Sequence, residues 1–135
     1  MRVFLDANIL FSAALPHSRM RMLLDAVFAH SACLTNLYAV EEAYRNLQVK
    51  APSSLKALEP LVKKCELVSS LATDIDAALP AKDIPILGGA IAGSTTHLLT
   101  GDERDFGTLW NKTVRGVKIV SPRILATELA KKKLL

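Results

Sequence analysis

Four acidic residues of this sequence occupy positions where carboxylates can do chemistry in a layered α/β protein. They follow predicted strands, either directly or on the connection that leaves the strand: Asp6, Glu42, Asp83 and Asp102. In open α/β sheets, functional groups collect beyond the carboxyl ends of the strands. If the four carboxylates converge, their mutual repulsion requires a bound cation or raised pKa values. Oxygen ligands without clustered Cys or His favour Mg²⁺ or Mn²⁺ over zinc or copper.

Each acid also has a local explanation that needs no metal. Asp6 and Asp83 stand where helix N-caps are expected, and Asp is favoured there. Asp102 follows a glycine in a tight turn, where Asp is common for local hydrogen bonding. Glu42 alone would be an ordinary acid on a helix surface. These four explanations are independent, and none of them predicts that all four acids lie on connections at the same edge of one sheet.

The elements that must position these acids alternate between strands and helices. Apolar runs predict five strands, at 3–5, 32–34, 65–68, 97–100 and 117–120. Helical spacing and caps predict helices at 9–14, 19–30, 37–49, 52–62 with a kink at Pro60, 73–79, 84–93, 106–110 and from Ser121 to about Lys133. Crossovers of this length place consecutive strands parallel, so we expect an α/β sandwich around a parallel sheet.

The length, apolar content, cysteines and net charge of the sequence indicate what kind of protein to expect. A chain of 135 residues predicts a single domain spanning 1–135. No apolar run approaches a membrane span and no export signal is evident, which predicts a soluble cytoplasmic protein. Cys33 and Cys65 lack the spacing of a zinc site and are expected to be buried thiols. The net charge of +4 makes a polyanionic partner plausible.

Four segments resemble the motifs of PIN-domain ribonucleases, whose best-known small members are VapC-type toxins of bacterial toxin–antitoxin pairs. The segments are Val-Phe-Leu-Asp-Ala-Asn-Ile-Leu (3–10), Ala-Val-Glu-Glu-Ala-Tyr-Arg-Asn-Leu (39–47), Asp-Ile-Pro-Ile-Leu-Gly-Gly-Ala-Ile-Ala (83–92) and Leu-Leu-Thr-Gly-Asp-Glu-Arg-Asp-Phe (98–106). They occur in the family's order and span nearly the whole chain. Their combination is specific, although no single motif would be.

The resemblance implies a three-layer sandwich with a five-stranded parallel sheet, in which the first strand is central, and a Mg²⁺- or Mn²⁺-dependent endoribonuclease site. It implies Asp6, Asp83 and Asp102 as metal ligands, with Glu42 as a further catalytic acid preferred over Glu41. It also implies supporting roles for three residues: Asn8, Thr100 and Asp105. The implied partners are RNA, a second copy of the chain and a small antitoxin whose segment fills the acidic groove.

One position departs from the family's pattern. Where members often carry Ser or Thr six residues before the helix acid, this chain has Asn36. An amide can still form hydrogen bonds, so the departure bears more on substrate preference and toxin status than on fold.

The hypothesis from the sequence is metal-assisted hydrolysis of RNA, with a basic rim that holds backbone phosphates. The candidates for that rim are Arg19, Arg21, Lys82 and Arg104. Two alternatives remain. A phosphoacceptor receiver domain fits poorly, because it would need paired acids after the first strand and a lysine after the fifth. A catalytically silent PIN-fold interaction module would keep the acids for caps and turns.

Overall fold

A computed structural model describes residues 1–69 and 79–135 of the chain. Its sheet has six strands among these residues, in the order β3-β2-β1-β4-β6-β5. The strands are β1 (Arg2–Leu5), β2 (Ala32–Thr35), β3 (Glu66–Leu67), β4 (His97–Leu99), β5 (Thr113–Val114) and β6 (Val117–Val120). All neighbouring pairs are parallel except β5 with β6. The five predicted parallel strands are therefore confirmed, with β1 at their centre.

Helices connect the strands and flank the sheet, which gives the expected three-layer α/β arrangement. They are α1 (Ala7–Ala14), α2 (Arg19–His30), α3 (Leu37–Lys50), α4 (Leu58–Lys63), α5 (Ile84–Ala92), α6 (Glu103–Phe106) and α7 (Pro122–Lys131). Short 3₁₀ segments precede α4 and α5, at Pro52–Ala57 and Ala81–Asp83, and another follows α6 at Gly107–Leu109. The helix predicted from the Thr73–Asp76 capping box falls on residues outside the described part.

The core lies around β1, where Val3, Phe4 and Leu5 are completely buried. An apolar run without polar alternation is what a strand covered on both faces requires. β1 pairs with β2 through Val3 and Cys33, and with β4 through Leu5 and Leu99. This register places the carboxyl ends of β1 and β4 side by side.

Strand β5 was not predicted from the sequence. It forms an antiparallel hairpin with β6 through the two-residue turn Arg115-Gly116, in which both residues have positive φ. That geometry is the type I′ turn that matches strand twist, and it favours Gly at the second position. A strand of only two residues is too short to show a hydrophobic period.

Pro60 does not lie inside a long helix that it kinks or splits, as the sequence predicted. The predicted helix begins instead as the 3₁₀ segment at Pro52–Ala57, and α4 starts at Leu58. Pro60 therefore lies in the first turn of α4, where a backbone N–H has no partner within the helix and its absence costs little.

Two glycines, Gly89 within α5 and Gly93 just after it, allow close packing against the sheet. A Cβ on Gly89 would stand 3.0 Å from Cε2 of Phe4, and one on Gly93 would stand 3.1 Å from Cδ2 of Leu34. Both contacts are tighter than ordinary van der Waals packing. In the described part of the chain, no helix combines the length and apolar character that crossing a membrane requires.

Candidate active site

The four predicted acids line one cavity of about 250 Å³ at the carboxyl edge of the sheet. Its lining consists of Asp6, Ala7, Asn8, Glu42, Asn46, Lys82, Asp83, Gly101 and Asp102. Residues far apart in the sequence meet here because β1 and β4 end side by side, while α3 and α5 begin after other strand ends of the same sheet. The structure thus brings together the four acids that the motifs indicated.

Asp6 is buried at the point where β1 ends and α1 begins. Its Oδ1 accepts a hydrogen bond of 2.7 Å from the backbone N–H of Ala7. Its Oδ2 accepts hydrogen bonds from the Thr100 hydroxyl at 2.8 Å and from the Asn8 amide at 3.2 Å. Asp6 is therefore both the N-cap of α1 and a wall of the cavity, so the two interpretations of this residue are compatible.

Asn8 and Thr100 connect the loops that follow β1 and β4. Oδ1 of Asn8 accepts a hydrogen bond of 2.8 Å from the backbone N–H of Gly101. The completely buried Thr100 hydroxyl also accepts one of 3.1 Å from the backbone N–H of Asp102. The hydroxyl of Thr100 therefore links the carboxylate of Asp6 to the backbone of the loop that carries Asp102.

Burial sets the protonation behaviour of Asp6. Desolvation raises its pKa from 3.8 to about 6, and the nearby charges of Glu42 and Asp102 act in the same direction. The hydrogen bonds from Thr100 and Ala7 oppose this shift, because they stabilise the carboxylate. A cation in the cavity would favour the charged form further.

A tighter group of acids lies on the α5 and α6 side of the cavity. One oxygen each from Asp83, Asp102 and Asp105 lies within 4.8 Å of the others. Asp102 also caps α6, since its Oδ1 accepts a hydrogen bond of 3.0 Å from the backbone N–H of Asp105. Asp105, for which we expected a supporting role, thus stands as close to Asp83 and Asp102 as a shared metal ion would require.

Asp83 has a polar atom without a partner. Its Oδ2 is buried and makes no hydrogen bond within the described residues, and its side chain makes no capping bond to α5. The N-cap explanation of Asp83 therefore finds no support in its contacts. A buried carboxylate oxygen without a partner, on a residue grouped with Asp102 and Asp105, fits a hard divalent cation, which takes oxygen ligands.

The pKa values of the two neighbouring acids move in opposite directions. Burial raises the pKa of Asp83 from 3.8 to about 7, helped by its hydrogen bond with Asp105 and the charge on that residue. The same hydrogen bond lowers the pKa of Asp105. Lys82 places its Nζ 3.2 Å from Oδ2 of Asp105, which supplies one positive charge at the rim. These shifts favour a proton on Asp83 over one on Asp105.

Helix α3 presents Glu42 and not Glu41 to the cavity, as the motif comparison favoured. Glu42 is partly buried and lines the cavity, whereas Glu41 is exposed. Asn46, one helical turn after Glu42, lines the cavity as well, and the sequence analysis assigned it no role. Residues four apart share a helix face, so that spacing was the signal that would have found it.

Asn36 joins the two helices that deliver Glu42 and Asp83. Its buried Oδ1 accepts a hydrogen bond of 2.9 Å from Ala39 N–H and caps α3. Its Nδ2 donates a hydrogen bond of 3.1 Å to the carbonyl of Pro85 in the first turn of α5. A Ser or Thr at this position would be shorter, so the amide is what spans the gap between α3 and α5.

Only one of the four candidates for a basic rim reaches the acidic cavity. Lys82 is part of the described lining, and Arg19, Arg21 and Arg104 are not. Arg21 instead lines another depression with Leu15 and Pro16, and its Nε lies 2.9 Å from Oδ1 of Asp25.

The similarity of this chain to known proteins is found in its three-dimensional structure. No family model matches the sequence, and no curated protein matches it. A chain of VapBC2 from Rickettsia felis, solved bound to a DNA fragment from the promoter, is 14% identical with a TM-score of 0.67 and covers 90% of this chain and 98% of its own. A chain of FitAcB from Neisseria gonorrhoeae is 15% identical with a TM-score of 0.60, covering 90% and 98%. A chain of FitAB bound to the IR36 DNA fragment is 17% identical with a TM-score of 0.57, covering 89% and 94%.

These likenesses extend over nearly the full length of both partners in each comparison. At such identities they concern the fold, and they agree with the expectation drawn from the four motifs. The chain has the PIN-like α/β fold that its sequence resembles.

Proposed function

We propose that this chain is a Mg²⁺- or Mn²⁺-dependent endoribonuclease that hydrolyses RNA phosphodiester bonds, acting as the toxin of a type II toxin–antitoxin pair. The observation that carries the proposal is the convergence of four acids from four separate connections in one cavity. The net charge of the chain is +4, so the acidity of the cavity is a local feature. A cluster of this kind is stabilised by a cation and costs free energy without one.

The metal ligands in this proposal are Asp6, Asp83 and Asp102, as the motifs implied, with Asp105 as a fourth oxygen donor. Asp83 contributes the buried oxygen that lacks a partner. Asp102 and Asp105 stand beside it. Asp6 is held in place by Thr100 and Asn8, which act as the hydrogen-bonding shell that orients a metal ligand.

The chemistry follows from what each side chain does. A bound Mg²⁺ or Mn²⁺ supplies Lewis acidity at the phosphate and a coordinated water of lowered pKa. Glu42 faces the cavity from α3 and lies outside the close group of Asp83, Asp102 and Asp105, so it is the residue that accepts the proton of the attacking water. Lys82, whose side chain is 62% exposed, holds a non-bridging phosphate oxygen at the rim.

The proposed partners are an antitoxin protein and a second copy of the chain. Support comes from the matched chains of known structure, which belong to the assemblies VapBC2 and FitAB. A segment of the antitoxin would fill the acidic groove and block Asp6 and Asp83 from RNA. Co-expression with the neighbouring reading frame, followed by light scattering, tests both the pairing and the homodimer.

Purified protein incubated with structured and single-stranded RNA tests the activity. Cleavage is expected with Mg²⁺ or Mn²⁺ and is expected to stop in EDTA. Asp6→Asn and Asp102→Asn should each lower the rate by about 100-fold or more, because even residues that only orient a metal ligand change activity by about 10–100-fold. Asp25→Asn is the matched control, since Asp25 is an exposed acid on α2 that pairs with Arg21 outside the cavity.

Three results would contradict the proposal. Cleavage that persists in EDTA would exclude metal dependence, and unchanged rates in Asp6→Asn and Asp102→Asn would exclude this cavity as the site. If calorimetry shows no Mg²⁺ or Mn²⁺ binding at millimolar concentration, the fold serves as a silent interaction module.

A further inference from the structure

The positive charge of the chain is concentrated at its C-terminal end, away from the acidic cavity. Residues 107–135 contain seven of the 17 Lys and Arg residues but only one of the 13 Asp and Glu residues, Glu128. The remainder of the chain has more acidic than basic residues. The proposed active site therefore does not account for the basic character of the protein.

Part of this charge surrounds a second cavity, of about 320 Å³, between β6 and α7. Three of its lining residues are cationic: Lys118, Arg123 and Lys131. It shares no lining residue with the acidic cavity. Lys118 lies on β6, whereas Arg123 and Lys131 lie in the first turn and at the last residue of α7.

The single carboxylate in this cavity is already neutralised. Oε1 of Glu128 lies 3.1 Å from Nε2 of His97 and 3.6 Å from Nζ of Lys132, and its Oε2 lies 3.6 Å from Nζ of Lys118. Glu128 thus holds Lys118 in position without cancelling the rest of the positive charge. Arg123 and Lys131 have no carboxylate partner within the described residues, and both are exposed.

We propose that this cavity binds the phosphodiester backbone of a nucleic acid strand, which under the proposed function is the RNA that is cut. Arg123 and Lys131 are eight residues apart on α7, which places them roughly 12 Å apart along the helix axis. The two cations thus extend the positive surface of the cavity along α7. A strand that passes along this surface can place successive phosphates against both side chains, which gives a polymer of anions more contacts than a single phosphate can make.

The lining also indicates how such a strand is recognised. Ile124 is its one apolar residue among those described, and no aromatic side chain lines it. Without a platform on which bases can stack, and without an apolar centre of the kind that protein partners bury, the cavity offers charge and hydrogen bonds. Binding at this cavity is expected to be independent of base sequence and strongly dependent on salt.

The test measures fluorescence anisotropy of a labelled single-stranded RNA in EDTA, where neither metal nor cleavage contributes. The double variant Arg123→Gln/Lys131→Gln is expected to bind more weakly than the wild type. The slope of log affinity against log salt should become shallower by about 1.4, because each phosphate contact on a single strand contributes about 0.7. A DNA strand of the same sequence should lose affinity in the same double variant, since Arg123 and Lys131 would contact the phosphates that RNA and DNA share.

Two control variants make the result specific. Lys56→Gln/Lys63→Gln removes the same charge from exposed lysines near α4 and should leave the slope unchanged. Arg123→Lys/Lys131→Arg keeps the charge and should also bind like the wild type. Circular dichroism of the double glutamine variant should match the wild type, since both side chains are exposed.

The inference is overturned if the double glutamine variant keeps the wild-type slope, or if the control variant near α4 loses as much affinity. It is also overturned if the double variant loses binding to polyglutamate but not to the oligonucleotides, because the partner would then be an acidic protein segment. Failure of the proposed function has a different signature: the wild type would not cleave RNA with Mn²⁺, whereas the comparison of binding in EDTA would be unaffected.

Discussion

Thr100 donates a hydrogen bond of 2.8 Å to Oδ2 of Asp6 from the end of the neighbouring strand, 94 residues later in the chain. The contact exists because β1 and β4 are paired in register through Leu5 and Leu99. It couples the central carboxylate of the site to the loop that presents Asp102. The catalytic proposal therefore depends on a hydroxyl that need not touch a metal or substrate.

Thr100→Val is expected to lower both Mn²⁺ affinity and RNA cleavage by about 10–100-fold, because Asp6 loses the donor that orients it. Thr100→Ser keeps the hydroxyl and should retain most of the activity. Calorimetry with Mn²⁺ and single-turnover cleavage provide the two measurements. Wild-type Mn²⁺ affinity in the valine variant would show that the hydroxyl does not orient Asp6.

Asp83→Asn should change how stability depends on pH in EDTA. Burial raises the pKa of Asp83 from 3.8 to about 7, so the folded state holds this proton more tightly than the unfolded state. The contribution of this proton to the free energy of unfolding is present below about pH 4 and is lost as the pH rises through 7. An asparagine at this position does not titrate, so the variant does not lose stability in this way, and its amide can still donate a hydrogen bond to Asp105. Its free energy of unfolding relative to the wild type should therefore increase between pH 5 and pH 8, as measured by urea denaturation.

Adding Mn²⁺ should reverse that order at pH 8. Metal binding stabilises the native state of the wild type by mass action, and the asparagine variant lacks one ligand. Asp25→Asn serves as the control, because its exposed side chain lies outside the cavity and its curve should run parallel to the wild type. A constant difference between Asp83→Asn and the wild type across this pH range would contradict a buried, protonated Asp83.

Glu42→Gln and Glu41→Gln form a matched pair on one helix. Glu42 lines the cavity and Glu41 is exposed, so cleavage should fall by about 10²–10⁴-fold in the first variant, which is the usual contribution of a general base. The second variant should cleave RNA like the wild type. Measuring the Mn²⁺ affinity of the Glu42→Gln variant shows whether Glu42 is a proton acceptor or a metal ligand. Removing a proton acceptor that is not a ligand leaves this affinity nearly unchanged.

Much of the fold was predictable, because most of its strands coincide with short apolar or β-branched segments of the sequence. Val3–Leu5 is an uninterrupted apolar run, and Val117–Val120 is interrupted only by Lys118; both were placed correctly. Asp6 and Asp102, which follow β1 and β4, could be assigned to one edge because parallel strands end in the same direction. The two-residue strand β5 could not be predicted, as its position depends on the turn at Arg115-Gly116 and on a partner strand.

The site was less predictable than the fold, because its details depend on distances across the sheet. Asp105 was expected only to support the site, whereas its carboxylate oxygen lies within 4.8 Å of those of Asp83 and Asp102. Arg21 was expected at the basic rim, although its side chain on α2 pairs with Asp25. Local sequence patterns show which side chains follow the end of a strand, but they do not show which of these side chains contact one another in the fold.

Gly89 is expected to be essential for the arrangement around Asn36. A Cβ at this position would lie 2.5 Å from Nδ2 of Asn36 and 3.0 Å from Cε2 of Phe4, and both groups are buried. Gly89→Ala must therefore displace the amide that bonds to Pro85, at a cost of about 1–3 kcal/mol from overpacking, of which the better helix propensity of Ala offsets up to about 1 kcal/mol. Thermal unfolding and RNA cleavage should both show the loss, since α3 and α5 carry Glu42 and Asp83.

Gly107→Ala is the control for this substitution, because a Cβ there meets only Cγ of Glu103 at 3.4 Å. The double variant Gly89→Ala/Asn36→Ser gives the decisive comparison, since serine can still cap α3 but withdraws the amide from the crowded space. It should be more stable than Gly89→Ala alone. If the changes in free energy of unfolding caused by the two substitutions simply add, the crowding by the alanine comes from Phe4. The close contact between Asn36 and α5 would then not be the reason that glycine is required.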